Sequence, residues 1–280
     1  RGYIVYAGAG IIMLTTVIFI VNWIGGGARV QMYYPETELI DHLMVAGDLF
    51  LMCLIIYLSV KYGKVLPIIL SVVQTVLVLY TEFTADVKEG PHMLVDWLTI
   101  LMCIIIAFIG GFICIYTVGY MKGYHNHHKE VKDRQPFFFS MLFLFLAAMF
   151  GLVLSQNLVW IYFFWEITSV ISFLMIGYTR SEEAVNNSFC ALWMNLLGGL
   201  GFAAAIALMA QLHGTLQLLE VVNIGALLPL MCLSLAGLTK SAQLPFSTWL
   251  LGAMVAPTPS SALLHSATMV KAGVYLLIRI

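Results

Sequence analysis

Four titratable residues stand in stretches of sequence otherwise fit for hydrocarbon: Glu166, Lys240, His265 and Lys271. A charged side chain near the centre of a bilayer costs from about 2.5 to more than about 10 kcal/mol, depending on the reference state. Ionisable groups at that depth are therefore candidates for moving ions. Glu166 lies in Phe163-Phe164-Trp165-Glu166-Ile167-Thr168, with no basic residue within a turn of it. Its partner must come from another helix, and Lys240 is the natural one. A buried carboxylate and a buried ammonium that close on each other and open again can hand a proton along.

His265 and Lys271 share the last apolar stretch. Six residues of helix put them about 9 Å apart along the axis and about 120° apart around it. His265 can take and give a proton near neutral pH, and could bridge from Lys240 toward Lys271 through ordered water. The alternative is a histidine hydrogen-bonded to Ser261 or to a backbone carbonyl. Asp48 and His213 fall nearer the ends of their stretches and are expected at the interface rather than in a conducting role.

These groups need elements to hold them, and composition leaves one class. The 280 residues are 61% hydrophobic and 10% charged, with a mean hydropathy of +0.97. Soluble domains are about 45–50% apolar and about 25% charged. Stretches of about 20 residues, enough to cross hydrocarbon as helix, recur along the chain. The pattern predicts an all-α, polytopic transmembrane bundle of about nine spans: Tyr3–Trp23, Leu43–Val60, Val65–Phe83, Leu98–Tyr116, Phe137–Ser155, Leu158–Tyr178, Phe189–Gln211, Ile224–Leu250 with a break inside it, and Ser260–Ile280. The lipid bilayer is the expected surrounding, and nucleic acid is excluded as a partner. A full-length first span without a small-residue cleavage site argues against a signal peptide.

Alternating the spans puts Arg1, Lys61, Lys64, Lys122, Lys129, Lys132, Arg134 and Arg180 on one side, against Arg29, Lys88 and Arg279 on the other. The positive-inside rule makes the first side cytoplasmic. The loop Lys122–Gln135 is its most basic segment, and its His125, Asn126, His127 and His128 read as a solvated run rather than a metal site. The five cysteines (Cys53, Cys103, Cys114, Cys190, Cys232) are scattered through apolar spans and read as packing residues. Neither paired haem histidines nor iron–sulfur spacing is present, so no cofactor is expected in this chain. Gly198, Gly199 and Gly201 form a small-residue face suited to close helix packing.

The eighth span is interrupted at Lys240-Ser241-Ala242-Gln243-Leu244-Pro245. A proline there releases the Ser241 carbonyl and pushes the chain off axis. Pro257 and Pro259 are expected to end a short second piece, Ser247–Ala256. Freed backbone at membrane depth is tolerated only in contact with protein or water, and discontinuous helices mark ion sites in many transporters.

The run from Lys240 through Leu250, then Ala253-Met254 and Ala256-Pro257-Thr258-Pro259-Ser260-Ser261-Ala262-Leu263-Leu264-His265-Ser266-Ala267-Thr268-Met269-Val270-Lys271-Ala272-Gly273-Val274-Tyr275, closely resembles the signature of antiporter-like membrane subunits. That family includes the NADH dehydrogenase subunit 5 type of respiratory complex I, the large subunits of Mrp sodium/proton antiporters, and membrane subunits of energy-converting hydrogenases and formate hydrogenlyase. Asp96-Trp97-Leu98, Tyr116–Gly123, Asn157-Leu158 and Trp165-Glu166 extend the resemblance over about Asp96 to Ile280. It implies N-terminal helices over 1–95 and an antiporter-like domain over 96–280, with the first five-helix repeat starting at about 137. It also implies that Glu166 and Lys240 are the family's glutamate–lysine pair, and that His265 lies on the path toward a central lysine.

Family members continue into a second, inverted repeat that is missing before Ile280, which implies a half-channel completed by further polypeptide. Gly252, where complex I subunits often carry an acid, and Lys271, where they often lack lysine, look more like the Mrp and hydrogenase branches. The implied function is proton, or sodium, translocation in a redox-driven complex of the prokaryotic inner membrane. Iron–sulfur, nickel–iron or flavin groups would then sit in a peripheral redox module beside other membrane subunits. An Mrp-type antiporter subunit is the alternative, and a passive membrane anchor is a third reading that leaves the buried charges without a use.

Overall fold

The computed structural model describes residues 2–35, 38–85, 87, 90–129 and 131–280; Arg1 and Lys88, used above for sidedness, lie outside them. Among the described residues, thirteen α-helices and two three-residue strands follow one another as α1 Gly2–Gly25, β1 Gln31–Tyr33, α2 Glu38–Lys61, α3 Val65–Thr84, β2 Met93–Val95, α4 Trp97–Ile104, α5 Gly110–His127, α6 Gln135–Leu154, α7 Leu158–Ile176, α8 Glu182–His213, α9 Leu218–Ile224, α10 Leu227–Lys240, α11 Thr248–Gly252, α12 Thr258–Ala262 and α13 Met269–Arg279. Among the described residues, eight helical stretches, two of them counted across a π turn (Trp97–His127 and Thr258–Arg279), are long and apolar enough to cross a membrane. The interrupted α10 supplies the ninth, partial, span. The chain is an integral membrane protein.

Local chemistry sets the helix ends. Ser181 caps α8 by accepting from the Ala184 N–H, with Glu182 and Glu183 in the first turn, and Gly214 closes the helix in the left-handed region at φ 62°. The α8 helix therefore begins seven residues before the apolar run that announces it. Asp96 caps α4 and also receives the Arg279 guanidinium at 2.5 and 2.8 Å, tying the ends of α4 and α13 together. Partial burial works against ionisation of Asp96, but hydrogen bonds from Arg279 and Thr99 prevail and hold its carboxyl below the usual carboxylate range.

The two strands pair antiparallel on the Arg279 side of the bundle, with Gln31 opposite Val95. They were not expected from the sequence; only three residues of each strand pair, too few to carry a period-two pattern.

Burial divides the bundle. In the most apolar windows of α1 and α2, 17% and 22% of residues are buried, whereas the spans containing α7 and α8 reach 72%. The inner layer is α7, α8 and α10. Gly198 permits its closest approach, because a Cβ there would stand 2.0 Å from Thr239 Oγ1 on α10. Gly201 likewise meets the Cys232 carbonyl of α10, and Gly199 meets Glu166 of α7 and Gln74 of α3, so all three glycines expected to pack helices do so, against different neighbours.

Four expectations are corrected. The α5 helix runs through His127, so the histidine cluster is not a solvated loop from its start: His125 Nε2 lies 3.1 Å from the Tyr178 hydroxyl and 3.6 Å from Asp133. The α10 helix ends at Lys240, before Pro245 can kink it; Ala242 takes φ 53° and Leu244-Pro245 is cis. The short second piece is Thr248–Gly252 continued by Ala253–Val255, while Pro257 holds the N-cap position of α12 and Pro259 lies in its first turn. The last span is not one straight helix, because a π turn over Leu263–Ala267 and an irregular Thr268 separate α12 from α13.

Candidate functional site

Lys240 is the last residue of α10 and has no solvent exposure. Its ammonium donates to the Trp165 carbonyl at 2.9 Å and to Ser169 Oγ at 2.7 Å, and stands 4.8 Å from the centre of the Trp165 ring. All three contacts come from α7. The same carbonyl also accepts from Thr168 Oγ1 at 2.8 Å and Ser169 Oγ at 3.0 Å. At the helix end, the Thr239 carbonyl receives the Trp249 indole N–H at 2.9 Å and the Gly237 carbonyl receives Ser241 Oγ at 2.6 Å. The backbone freed by the break is thus satisfied inside the protein, as a broken helix in hydrocarbon requires. A cation at the carboxyl end of α10 is also favoured by the helix dipole.

Glu166 follows Trp165 on α7 and is 3% exposed. It lies within electrostatic reach of Lys240, yet no carboxylate among the described residues comes within ion-pair distance of the Lys240 ammonium. The two expected partners are therefore neighbours on opposite flanks of one turn of α7, not a closed pair. Glu166 Oε1 has no hydrogen-bond partner and lies against Gly199, 2.5 Å from where a Cβ would stand. Gln74 of α3 is its side-chain neighbour and hydrogen-bond partner.

Asp48 corrects the sequence reading. It is 8% exposed and lines a small cavity with Glu166, Gln74, Ser71, Thr75 and Tyr162. The reason is a boundary: α2 starts at Glu38, five residues before the apolar run at Leu43, so Asp48 lies about three turns inside the helix rather than one and a half. His213, by contrast, does end its helix.

His265 sits in the π turn between α12 and α13, with one hydrogen bond to the backbone of Leu250 and its Nε2 buried without a partner. That backbone contact is the alternative weighed above. Lys271 is exposed on α13. No direct hydrogen bond or ion pair joins Lys240, His265 and Lys271 among the described residues. The structure gathers Lys240, Glu166 and Asp48 around α7, and leaves His265 and Lys271 outside that cluster. Ser169 and the Trp165 carbonyl were missed; the signal was the hydroxyl series Thr168, Ser169, Ser172 beside Glu166 on a span with no other reason for it.

Two family models match the chain. One, described as NADH:quinone oxidoreductase/Mrp antiporter, transmembrane, covers residues 155–280, and the other, NADH-ubiquinone oxidoreductase (complex I) chain 5 N-terminus, covers residues 84–129. A relative named Na(+)/H(+) antiporter subunit A1 from Staphylococcus haemolyticus is 38% identical over 194 residues, 66% of this chain and 23% of that one. A putative antiporter subunit mnhA2 of Staphylococcus aureus is 38% identical over 193 residues, with the same coverage. This chain thus spans about a quarter of the length of these relatives. Among solved structures, the Mrp complex from Dietzia sp. DQ12-45-1b aligns over 85% of this chain and 27% of its own, with TM-score 0.58 and 28% identity. An archaeal membrane-bound sulfane sulfur reductase aligns over 85% of this chain and 52% of its own, with TM-score 0.58 and 17% identity, a likeness of fold alone.

Proposed function

For a chain that belongs to the antiporter-like membrane-subunit family, we propose ion translocation: protons, or sodium ions, pass by way of Glu166 and Lys240 around the break at the end of α10. The observation that carries this reading is Lys240 itself. It has no solvent exposure, ends a helix inside the bilayer and is held by a carbonyl and a hydroxyl rather than by a carboxylate. A neutralising ion pair would fix the charge in place. A lysine held by neutral oxygens, with Glu166 beside it, can lose its proton and regain it as the local field changes.

His265 and Lys271 extend the route toward the surface of α13, with water or a further polypeptide bridging what this chain leaves apart. Other membrane subunits accompany the chain in the bacterial or archaeal inner membrane, and the end carrying Lys61, Lys64, Arg134 and Arg180, with the Lys122–Gln135 loop, faces the cytoplasm. The driving reaction is redox chemistry in a peripheral module of the hydrogenase or complex I type, whose iron–sulfur, nickel–iron or flavin groups lie in partner subunits.

The second reading, an Mrp-type sodium/proton antiporter subunit without a redox module, is favoured by the 38%-identical relatives named as antiporter subunits. Mass spectrometry of the complex purified through a tag on this chain separates the two. A co-purifying nickel–iron or quinone-reducing module supports the first, and a complex of membrane subunits alone supports the second. A complex that moves neither ion under any driving force would contradict both.

A further inference from the structure

We propose that Asp48 and Glu166 form the carboxylate walls of a pocket, between α2, α3 and α7, that takes one desolvated monovalent cation of sodium's size. The proposal rests on the translocation reading above and adds to it a binding place and a residue outside the glutamate–lysine pair.

Four observations support it. Asp48 and Glu166, each less than one-tenth exposed, line the same small cavity from two different helices. Gln74, 2% exposed, lines it from a third helix, and its Oε1 has no hydrogen-bond partner. Glu166 Oε1 and Gln74 Oε1 both point at Gly199, ending 2.5 and 2.6 Å from its Cβ position. Ser71 Oγ, on the same wall, donates to the Ile68 carbonyl at 3.1 Å and keeps its lone pairs for another partner.

Gln74 is hydrogen-bonded to Glu166 through its other atoms, but Glu166 Oε1 and Gln74 Oε1 have no donor of their own and lie against the same point, where two acceptors repel and burial raises the cost. A positive charge placed among them removes the conflict. An amide oxygen gains nothing from a passing proton at neutral pH, but with carboxylate and hydroxyl oxygens it makes the all-oxygen shell that hard cations select. Among the described residues, the charges felt by Asp48 and Glu166 are one further carboxylate, Glu82 on α3, and one ammonium, Lys240, engaged on the other flank of α7, with the neutral Tyr162 hydroxyl beside them, so carboxylates outnumber cations and leave room for an added positive charge. A cation in the pocket and the proton on Lys240 would then compete for Glu166, and by linkage each weakens the other.

The test uses the intact complex in detergent and dicyclohexylcarbodiimide, which modifies protonated carboxyl groups in apolar surroundings. Peptide mass spectrometry reads the labelling of Asp48 and Glu166 in sodium chloride against choline chloride at equal ionic strength and pH. Labelling of both residues should fall severalfold with sodium and stay unchanged with choline. Glu166→Gln should remove sodium's protection of Asp48, and so should Gly199→Ala, whose methyl group would occupy the space between the two oxygens. The wild-type comparison needs no variant, so a substitution that blocks assembly leaves the test standing. Labelling of Asp48 that is indifferent to sodium, or absent even in sodium-free medium, would overturn the pocket. If ion movement still depended on Lys240 in that complex, the translocation reading would survive and only the sodium pocket would be lost.

Discussion

Lys240 and Lys271 belong to one family signature and both fall within the apolar C-terminal stretch, but they meet opposite surroundings. Lys240 is sealed in: its helix ends on it, α7 supplies a carbonyl and a hydroxyl, and an indole ring lies beneath the ammonium. Lys271 stands exposed on α13. The same residue type at membrane depth is thus an internal component in one place and a surface group in the other. Residue type shows that a charge is present in hydrocarbon; only packing shows whether the chain itself provides for it. The surroundings of Lys240 are supplied by this chain, whereas those of Lys271 are left to lipid or to another polypeptide.

The contrast can be broken at its base. Gly198→Val would force a branched side chain into the contact with Thr239, where even a Cβ would stand 2.0 Å from Oγ1. The seal around Lys240 should open, and the complex should fail to assemble, as seen by loss of the intact band on native gels; overpacking of this kind costs about 1–3 kcal/mol or more. Glu166→Gln keeps the shape and removes the charge beside Lys240. Ion flux should fall by about tenfold or more, the range in which positioned proton donors and acceptors act, and unchanged flux would remove Glu166 from the route.

Smaller effects sharpen the comparison. Ser169→Ala deletes one of the two hydrogen bonds holding the ammonium, a loss of about 1.5–3 kcal/mol for a charged donor. Flux should drop severalfold while assembly is kept, measured as acidification of vesicle interiors. Lys271→Ala should reduce flux less than Ser169→Ala in the same assay. An effect of Lys271→Ala larger than that of Glu166→Gln would show that the exposed lysine, not the sealed one, controls passage.

Much of this arrangement was legible in the sequence, because charge inside an apolar run is conspicuous and Pro245, Pro257 and Pro259 mark an interruption after Lys240, though not where each piece ends. Glu166, Lys240, the interrupted eighth span and the helical membrane architecture were all visible in that way. The depth of Asp48 was not, since the first turn of α2 is polar and the apolar run starts late. The Ser169 contact was hidden for another reason: a serine in a helix ordinarily bonds its own backbone, as Ser169 also does to the Trp165 carbonyl. The sequence led to a glutamate–lysine pair that can close and open; adjacent positions on α7 point to different flanks, so Trp165 and Ser169 meet Lys240 while Glu166 turns toward Gln74 and Gly199, and the pair stands open. The π turn around His265 left no trace in hydropathy, which is blind to one extra residue per turn.

The central claim is that a sealed, protonatable Lys240 carries the ion past the break in α10. Its most direct test is ion flux in inverted membrane vesicles containing the complex with Lys240→Ala, normalised to the amount of assembled complex. The account predicts that the complex assembles and that its ion pumping is abolished; pumping at the wild-type rate would contradict it.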